Sequence, residues 1–278
     1  MAQVNCMSPK NADIKTVFAN GIDIAYKEYG NKEPLLMITG YSATMDMWST
    51  QLIDQLSRNY RVIVFDNRGM GLSGTTDDEY SMRLFADDTA KFLEEIGIES
   101  AHVLGWSMGT NIAQELALNY PEKVRKLIMY AGECGGGEMI MPDPEVYESL
   151  SDTSGTDEEK GMRFLKLLFP PDWMEENPVI EEYFPEITEE ISPENVDKQY
   201  NAMQTWEGSY TRLTKLDIPV LIITGTEDVL TPPENSLFLA GQISGSWLVQ
   251  MRGAGHGAMY QYPLEMAEVI SCFIEASH

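Results

Sequence analysis

Apolar residues run along this chain in two rhythms. Short unbroken runs occur at Leu35–Thr39 (LLMIT), Arg61–Asp66 (RVIVFD), His102–Gly105, Arg125–Tyr130, Pro219–Thr224 (PVLIIT) and Ser246–Met251. Leu35–Thr39 and Arg61–Asp66 are runs of the sort found in strands buried on both faces, and the other four read as further strands. Between them lie stretches with helical spacing: Met47–Arg58, Ser81–Ile96, the residues after Ser107, Glu234–Gln242 and Pro263–Ala276. In Ser81–Ile96, for example, Leu84, Phe85, Thr89, Phe92, Leu93 and Ile96 share one side. At the front, Thr16–Ala19 and Ile22–Tyr29 flank Asn20-Gly21, a strong hairpin signal. The alternation predicts an α/β fold. A mostly parallel central sheet of about eight strands opens with an antiparallel hairpin and carries helices on both faces, with right-handed crossovers.

The rhythm changes after the sixth strand. Glu133–Asp157 contains C-G-G-G, M-P-D-P and S-D-T-S-G-T-D, all turn formers. Gly161–Phe169, Val179–Phe184 and Pro193–Trp206 then read as short helices separated by prolines. We expect an α-helical cap at 133–206, inserted into a core domain made of 1–132 and 207–278. Its large apolar and aromatic residues, among them Phe164, Leu168, Phe169, Trp173, Tyr183, Phe184 and Trp206, oppose a disordered linker.

Charge sharpens that division. Of the formal net charge of −25 over 278 residues, −15 falls between Glu133 and Tyr200, where 19 Asp and Glu face 4 Lys and Arg. Such a field argues against nucleic acid or an anionic membrane as partner and favours a neutral, partly apolar small molecule. No apolar run approaches the length of a membrane span, and the polar start lacks a signal-type apolar region, so a cytoplasmic location is expected. Cys6, Cys134 and Cys272 are too few and too scattered for a disulfide framework. No H-E-x-x-H or C-x-x-C occurs, and neither a metal nor a cofactor is expected.

Candidate chemistry sits at strand ends, where open α/β sheets bind their ligands. Gly105-Trp106-Ser107-Met108-Gly109 joins a strand to a helix and puts a serine at the apex of a sharp turn. Side chains two residues either side of the serine would collide where strand and helix close, hence the glycines. Alone, such a five-residue pattern arises by accident in roughly one chain in ten of this length. Two later strand ends supply partners: Gly225-Thr226-Glu227-Asp228 with Pro232 beyond it, and Gly253-Ala254-Gly255-His256. The order is Ser107, Asp228, His256. His102 lies within a strand and His278 ends the chain, which leaves His256 as the base. For the acid, Asp228 leads, with Glu133 and Glu227 as alternatives.

With Asp66-Asn67-Arg68-Gly69-Met70-Gly71-Leu72-Ser73 after an earlier strand, four motifs stand in an order that resembles the capped serine hydrolases of the α/β-hydrolase superfamily, from about Thr16 to the C-terminus. The resemblance implies Ser107 as nucleophile, His256 as base and Asp228 as its orienting acid. It implies an oxyanion hole from the backbone N–H groups of Met108 and Tyr41, although Thr39 stands where the family usually has histidine before Gly40. Arg68 and its glycines would brace the loop beneath. Trp106, Met139, Ile140, Met141 and Met259 are candidate pocket walls. The expected activity is hydrolysis of a carboxylic ester, thioester or lactone through an acyl-enzyme. The alternatives are a small-molecule receptor on the same scaffold, a perhydrolase, or a carbon–carbon bond hydrolase. The last is disfavoured because Arg163 is the only arginine in the acidic segment.

Overall fold

The computed structural model describes residues 12–152, 154–179 and 191–277. Eight strands form one sheet: β1 (Lys15–Ala19), β2 (Ile22–Tyr29), β3 (Glu33–Ile38), β4 (Tyr60–Phe65), β5 (Ala101–Trp106), β6 (Val124–Tyr130), β7 (Val220–Gly225) and β8 (Trp247–Met251). Their order across the sheet is β1-β2-β4-β3-β5-β6-β7-β8. The β1–β2 and β2–β4 pairings are antiparallel and all later pairings are parallel.

The central strands β3, β4, β5 and β7 read as apolar runs because both faces of the sheet are covered there, whereas the outer strands β1 and β8 are partly exposed. Leu35 and Met37 of β3, with Val62 and Val64 of β4, pack on one side against α1 (Thr50–Ser57) and α10 (Pro263–Glu275), which follows the short α9 (Ala258–Gln261). Leu36, Ile38, Ile63 and Phe65, the alternate positions, pack on the other side. There they meet α2 (Met82–Glu95), α3 (Met108–Asn119) and α8 (Pro233–Gln242). Ser81, which opens the stretch of helical spacing, accepts from the Leu84 N–H and caps α2.

Among the described residues four helices lie between β6 and β7 in the chain: α4 (Pro144–Ser151), α5 (Asp157–Leu168), α6 (Pro171–Glu176) and α7 (Pro193–Gln204). Three depart from expectation. Pro144 and Pro171, which read as breakers, each open a helix, because proline at the first helical position removes an N–H that has no partner there anyway. The T-D-E-E run after Gly155 likewise starts α5 four residues before Gly161. Thr156 and Glu159 form a reciprocal capping box, with Glu159 N–H donating to Thr156 Oγ1 at 3.2 Å and Thr156 N–H to Glu159 Oε2 at 2.7 Å. The helix expected at Val179–Phe184 falls largely outside the described residues, as does His278. Among the described residues no helix is long and apolar enough to cross a membrane.

The insertion touches the loops at the carboxyl ends of three strands. The Leu168 carbonyl accepts the Gly257 N–H at 2.9 Å, beyond β8. Asn195 donates to the Gly69 carbonyl at 3.0 Å, beyond β4, and Gln199 accepts the Ser42 N–H at 2.9 Å, beyond β3.

Candidate active site

Ser107 joins β5 to α3 at φ +55° and ψ −124°, a region a side-chain-bearing residue rarely occupies. The surroundings hold it there. Its N–H donates to the Tyr130 carbonyl of β6 at 3.0 Å, and its own carbonyl accepts from Thr110 N–H at 2.8 Å and Thr110 Oγ1 at 2.7 Å. The flanking glycines are required by close backbone approach. A Cβ on Gly105 would strike the Gly109 carbonyl, and one on Gly109 would strike the Ile38 carbonyl of β3. Ser107 is half-buried among fully buried neighbours, and its hydroxyl does not cap α3. The hydroxyl is therefore not committed to the helix it begins.

His256 and Asp228 are brought together. Both are 3% exposed, and His256 Nδ1 lies 2.9 Å from Asp228 Oδ2 and 3.1 Å from Oδ1. Asp228 Oδ1 also accepts the N–H groups of Leu230 (3.0 Å) and Thr231 (2.8 Å), a turn that fixes the carboxylate. An acceptor-only carboxylate calls for the proton on Nδ1, which leaves Nε2 with a lone pair for a neighbouring acid. Tyr130 steadies the same loop from below, its hydroxyl donating to the His256 carbonyl at 2.5 Å and accepting the Met259 N–H at 3.2 Å. The Ser107 hydroxyl and the imidazole share no hydrogen bond in this structure. The link is Trp106, whose ring centre is 5.8 Å from that of His256 and 6.4 Å, near-parallel, from Tyr130.

The loop after β3 reaches the serine from the other side. A Cβ on Gly40 would lie 3.1 Å from Ser107 Cβ, tight enough that the neighbouring atoms would have to give by a few tenths of an ångström. Thr39 is fully buried and belongs to a polar brace: Asn67 Nδ2 donates to its carbonyl at 3.3 Å and to its hydroxyl at 3.2 Å. Asp66 accepts from Met45 N–H (2.7 Å) and Leu72 N–H (2.9 Å). Arg68, also buried, forms a two-point pair with Asp88 (2.7 and 2.5 Å) and donates to the Asn20 carbonyl at 3.0 Å. Asn67 and Gln199 are the residues sequence reasoning passed over. The first stands inside the Asp66–Ser73 motif, but nothing short of the fold signals the second.

The remaining candidates fall in different places. Glu133 sits at the end of β6 but its carboxylate accepts from Asn111 Nδ2 at 2.7 Å and from the Gly135 N–H, with no imidazole beside it; burial pushes its pKa up. Glu227 is exposed on the loop beside Asp228. His102 lies at the far end of β5 from the elbow, 3.3 Å from Glu33, with its pKa pulled down by burial. Met108 and Met259 are buried in the core on opposite faces of the sheet, and Trp106 is buried with Met259's face. Met139 is half-buried, while Ile140 and Met141 are exposed. Those last two line a crevice of about 750 Å³ with Phe169, Pro170 and Asp228, which approaches the pair from the acid's side and is not lined by Ser107 or His256. Among the described residues no group of three or more His, Cys, Asp or Glu could hold a metal ion.

Comparison with known proteins agrees with this architecture. Residues 33–263 match the family model described as alpha/beta hydrolase fold. A relative from Azorhizobium caulinodans, named "Putative carbamate hydrolase RutD", is 29% identical over 238 residues, covering 84% of this chain and 88% of the relative. Among solved structures, an alpha/beta hydrolase fold protein from Chitinophaga pinensis superposes with a TM-score of 0.83 at 24% identity, covering 97% of this chain and all of the other. The enol-lactonase from Burkholderia xenovorans LB400 gives 0.80 at 20% identity, covering 94% and 100%. The chain belongs to the alpha/beta hydrolase fold family.

Proposed function

We propose that this hydrolase cleaves a neutral, partly apolar carboxylic ester, thioester or lactone with Ser107 as nucleophile. The observation that carries the proposal is the pairing of a strained, uncommitted serine at a helix start with a buried imidazole–carboxylate couple, Asp228 two strands and His256 three strands further on. Ser107 Oγ attacks the carbonyl carbon while His256 Nε2 takes its proton. Asp228 holds the imidazole by Nδ1 and stabilises the imidazolium that forms. The new oxyanion is met by the backbone N–H groups of Met108, in the first turn of α3, and of Tyr41, each worth about 10²–10³ in rate. His256 returns the proton to the leaving alcohol or thiol, then draws one from the water that attacks the acyl-enzyme and restores Ser107. The insertion at 133–206 acts as a cap, and its excess of carboxylates disfavours anionic substrates.

A panel of 4-nitrophenyl esters of rising acyl length, with one lactone, one carbamate ester and one peracid-forming assay, tests this. Turnover of a neutral ester or lactone, lost in Ser107→Ala, is the expected result. Turnover that survives Ser107→Ala would remove the serine mechanism. Selective peracid formation or carbon–carbon cleavage would keep the machinery and change the reaction.

A further inference from the structure

One buried side chain of the insertion is left half-used. Gln199 of α7 is fully buried, and its Oε1 accepts the Ser42 N–H at 2.9 Å across 157 residues of chain. Because the partner there is a donor, the amide's orientation is fixed by chemistry: the oxygen faces Ser42 and the nitrogen faces away. That nitrogen, Nε2, is buried with no hydrogen-bond partner among the described residues. Leaving such a donor dry costs on the order of 1–3 kcal/mol. Ser42 in turn holds φ +53°, a left-handed conformation that a serine does not adopt cheaply. It immediately follows Tyr41, whose N–H is the second oxyanion donor in the proposed mechanism. Gly40, one residue earlier, packs against Ser107.

Two anomalies therefore meet on one side chain that grips the loop packed against Ser107: a strained backbone that needs holding, and an unsatisfied donor that needs an acceptor. We infer that Gln199 is a two-ended positioning and specificity residue. Its Oε1 holds the Tyr41–Ser42 peptide in the aim the oxyanion hole needs, and its Nε2 donates to a second acceptor oxygen on the substrate, close to the scissile carbonyl. The ligand class is thus an ester, lactone or carbamate with an ether or carbonyl oxygen near the reacting group. An uncharged amide suits an uncharged acceptor, in keeping with the acidic insertion. The inference rests on the Ser107 mechanism proposed above.

Two isosteric substrate pairs isolate the donor end, because each exchanges one methylene for one oxygen. They are 4-nitrophenyl methoxyacetate against butyrate, and 2-methoxyethyl acetate against n-butyl acetate. Gln199→Met removes both ends of the amide, whereas Gln199→Glu keeps an acceptor for Ser42. In at least one pair the wild type should favour the oxygen-bearing ester, and Gln199→Met should cut that preference about fivefold, chiefly through KM; a ratio of ratios cancels intrinsic ester reactivity. For both esters of a pair kcat should fall about tenfold in Gln199→Met and recover in Gln199→Glu, with Ser42 amide exchange fast in the first and slow in the second. A structural role alone would lower Tm in both variants without changing the preference. An unchanged preference in both pairs overturns the donor role, and unchanged Ser42 exchange in Gln199→Met overturns the holding role. If the wild type cleaves none of the four esters yet is labelled at Ser107 by a fluorophosphonate probe, the proposed ligand class is overturned; if it takes up no probe either, the Ser107 mechanism fails on its own, and in both cases the exchange measurement still decides what Gln199 holds.

Discussion

Ser107 occupies φ +55° in a turn whose neighbours leave it no alternative, because β5, α3 and the end of β3 converge on two glycines. Strain of this kind costs roughly 1–3 kcal/mol and persists only where packing over-determines it. Relieving it should separate stability from activity: Ser107→Gly is expected to raise Tm while abolishing turnover, a combination that calorimetry and an ester assay read together. At the other end of the couple, Asp228→Asn should leave the fold intact and lower kcat by about 10³- to 10⁴-fold, because the amide cannot impose the same tautomer on His256. A loss of less than tenfold would move the acid's role elsewhere. His102 offers a pH test of its own. Burial lowers its pKa from an ordinary value near 6.5, so the unfolded chain binds a proton more readily than the folded one. Stability should therefore fall as pH drops below about 6.5, and His102→Gln should flatten that slope in denaturant titrations between pH 5 and 7. The sequence placed His102 in a strand away from the chemistry, because its apolar neighbours said so; the Glu33 carboxylate 3.3 Å away was beyond it.

At the level of elements, the central strands were legible because the sheet is covered on both sides there, so β3, β4, β5 and β7 show as apolar runs. Helix α2 was legible from its one-sided spacing, and α3, buried over Met108–Ala117, from the strand–turn–helix order around Ser107. What misled was proline. At Pro144 and Pro171 it begins a helix, and a single sequence cannot tell a first-turn proline from a breaker without the packing partners of the next turn. Arg68 and its glycines were read as the brace beneath the loop after β3, but Asn67 and Asp66 make those contacts, to Thr39 and Met45, whereas Arg68 pairs with Asp88 on α2, 20 residues away. Arg68 and Asp88 are both buried, so Asp88→Ala leaves a guanidinium with no counter-charge and should cost about 3–5 kcal/mol in chemical denaturation. Replacing both with apolar residues of similar size should cost much less, and an equal loss in the double variant would refute the unpaired-charge account. Gln199 marks the limit of sequence reading. One polar residue on one helical turn acquires meaning only when the fold brings it to Ser42.

Across the whole molecule, charge is the organising asymmetry. The segment from Glu133 to Tyr200 carries −15 of the −25 and touches the loops that carry Tyr41, Gly69 and His256. A negative field at the mouth of a cleft slows anions more than neutral substrates, and salt screens it over about 8 Å at physiological ionic strength. A neutral acetate ester should therefore exceed a dicarboxylate analogue in kcat/KM, with the gap narrowing as sodium chloride rises from 20 to 500 mM. A gap indifferent to salt would assign the selectivity to pocket shape instead. All of this depends on one claim, that Ser107 is activated by His256. The direct measurement is stoichiometric labelling by a fluorophosphonate probe, followed by intact mass, on wild type, Ser107→Ala and His256→Ala, each shown folded by circular dichroism. The account predicts one adduct per chain on Ser107 in the wild type, none in Ser107→Ala and labelling slowed at least a hundredfold in His256→Ala. Folded wild type that takes up no probe, or an adduct that persists in Ser107→Ala, would contradict it.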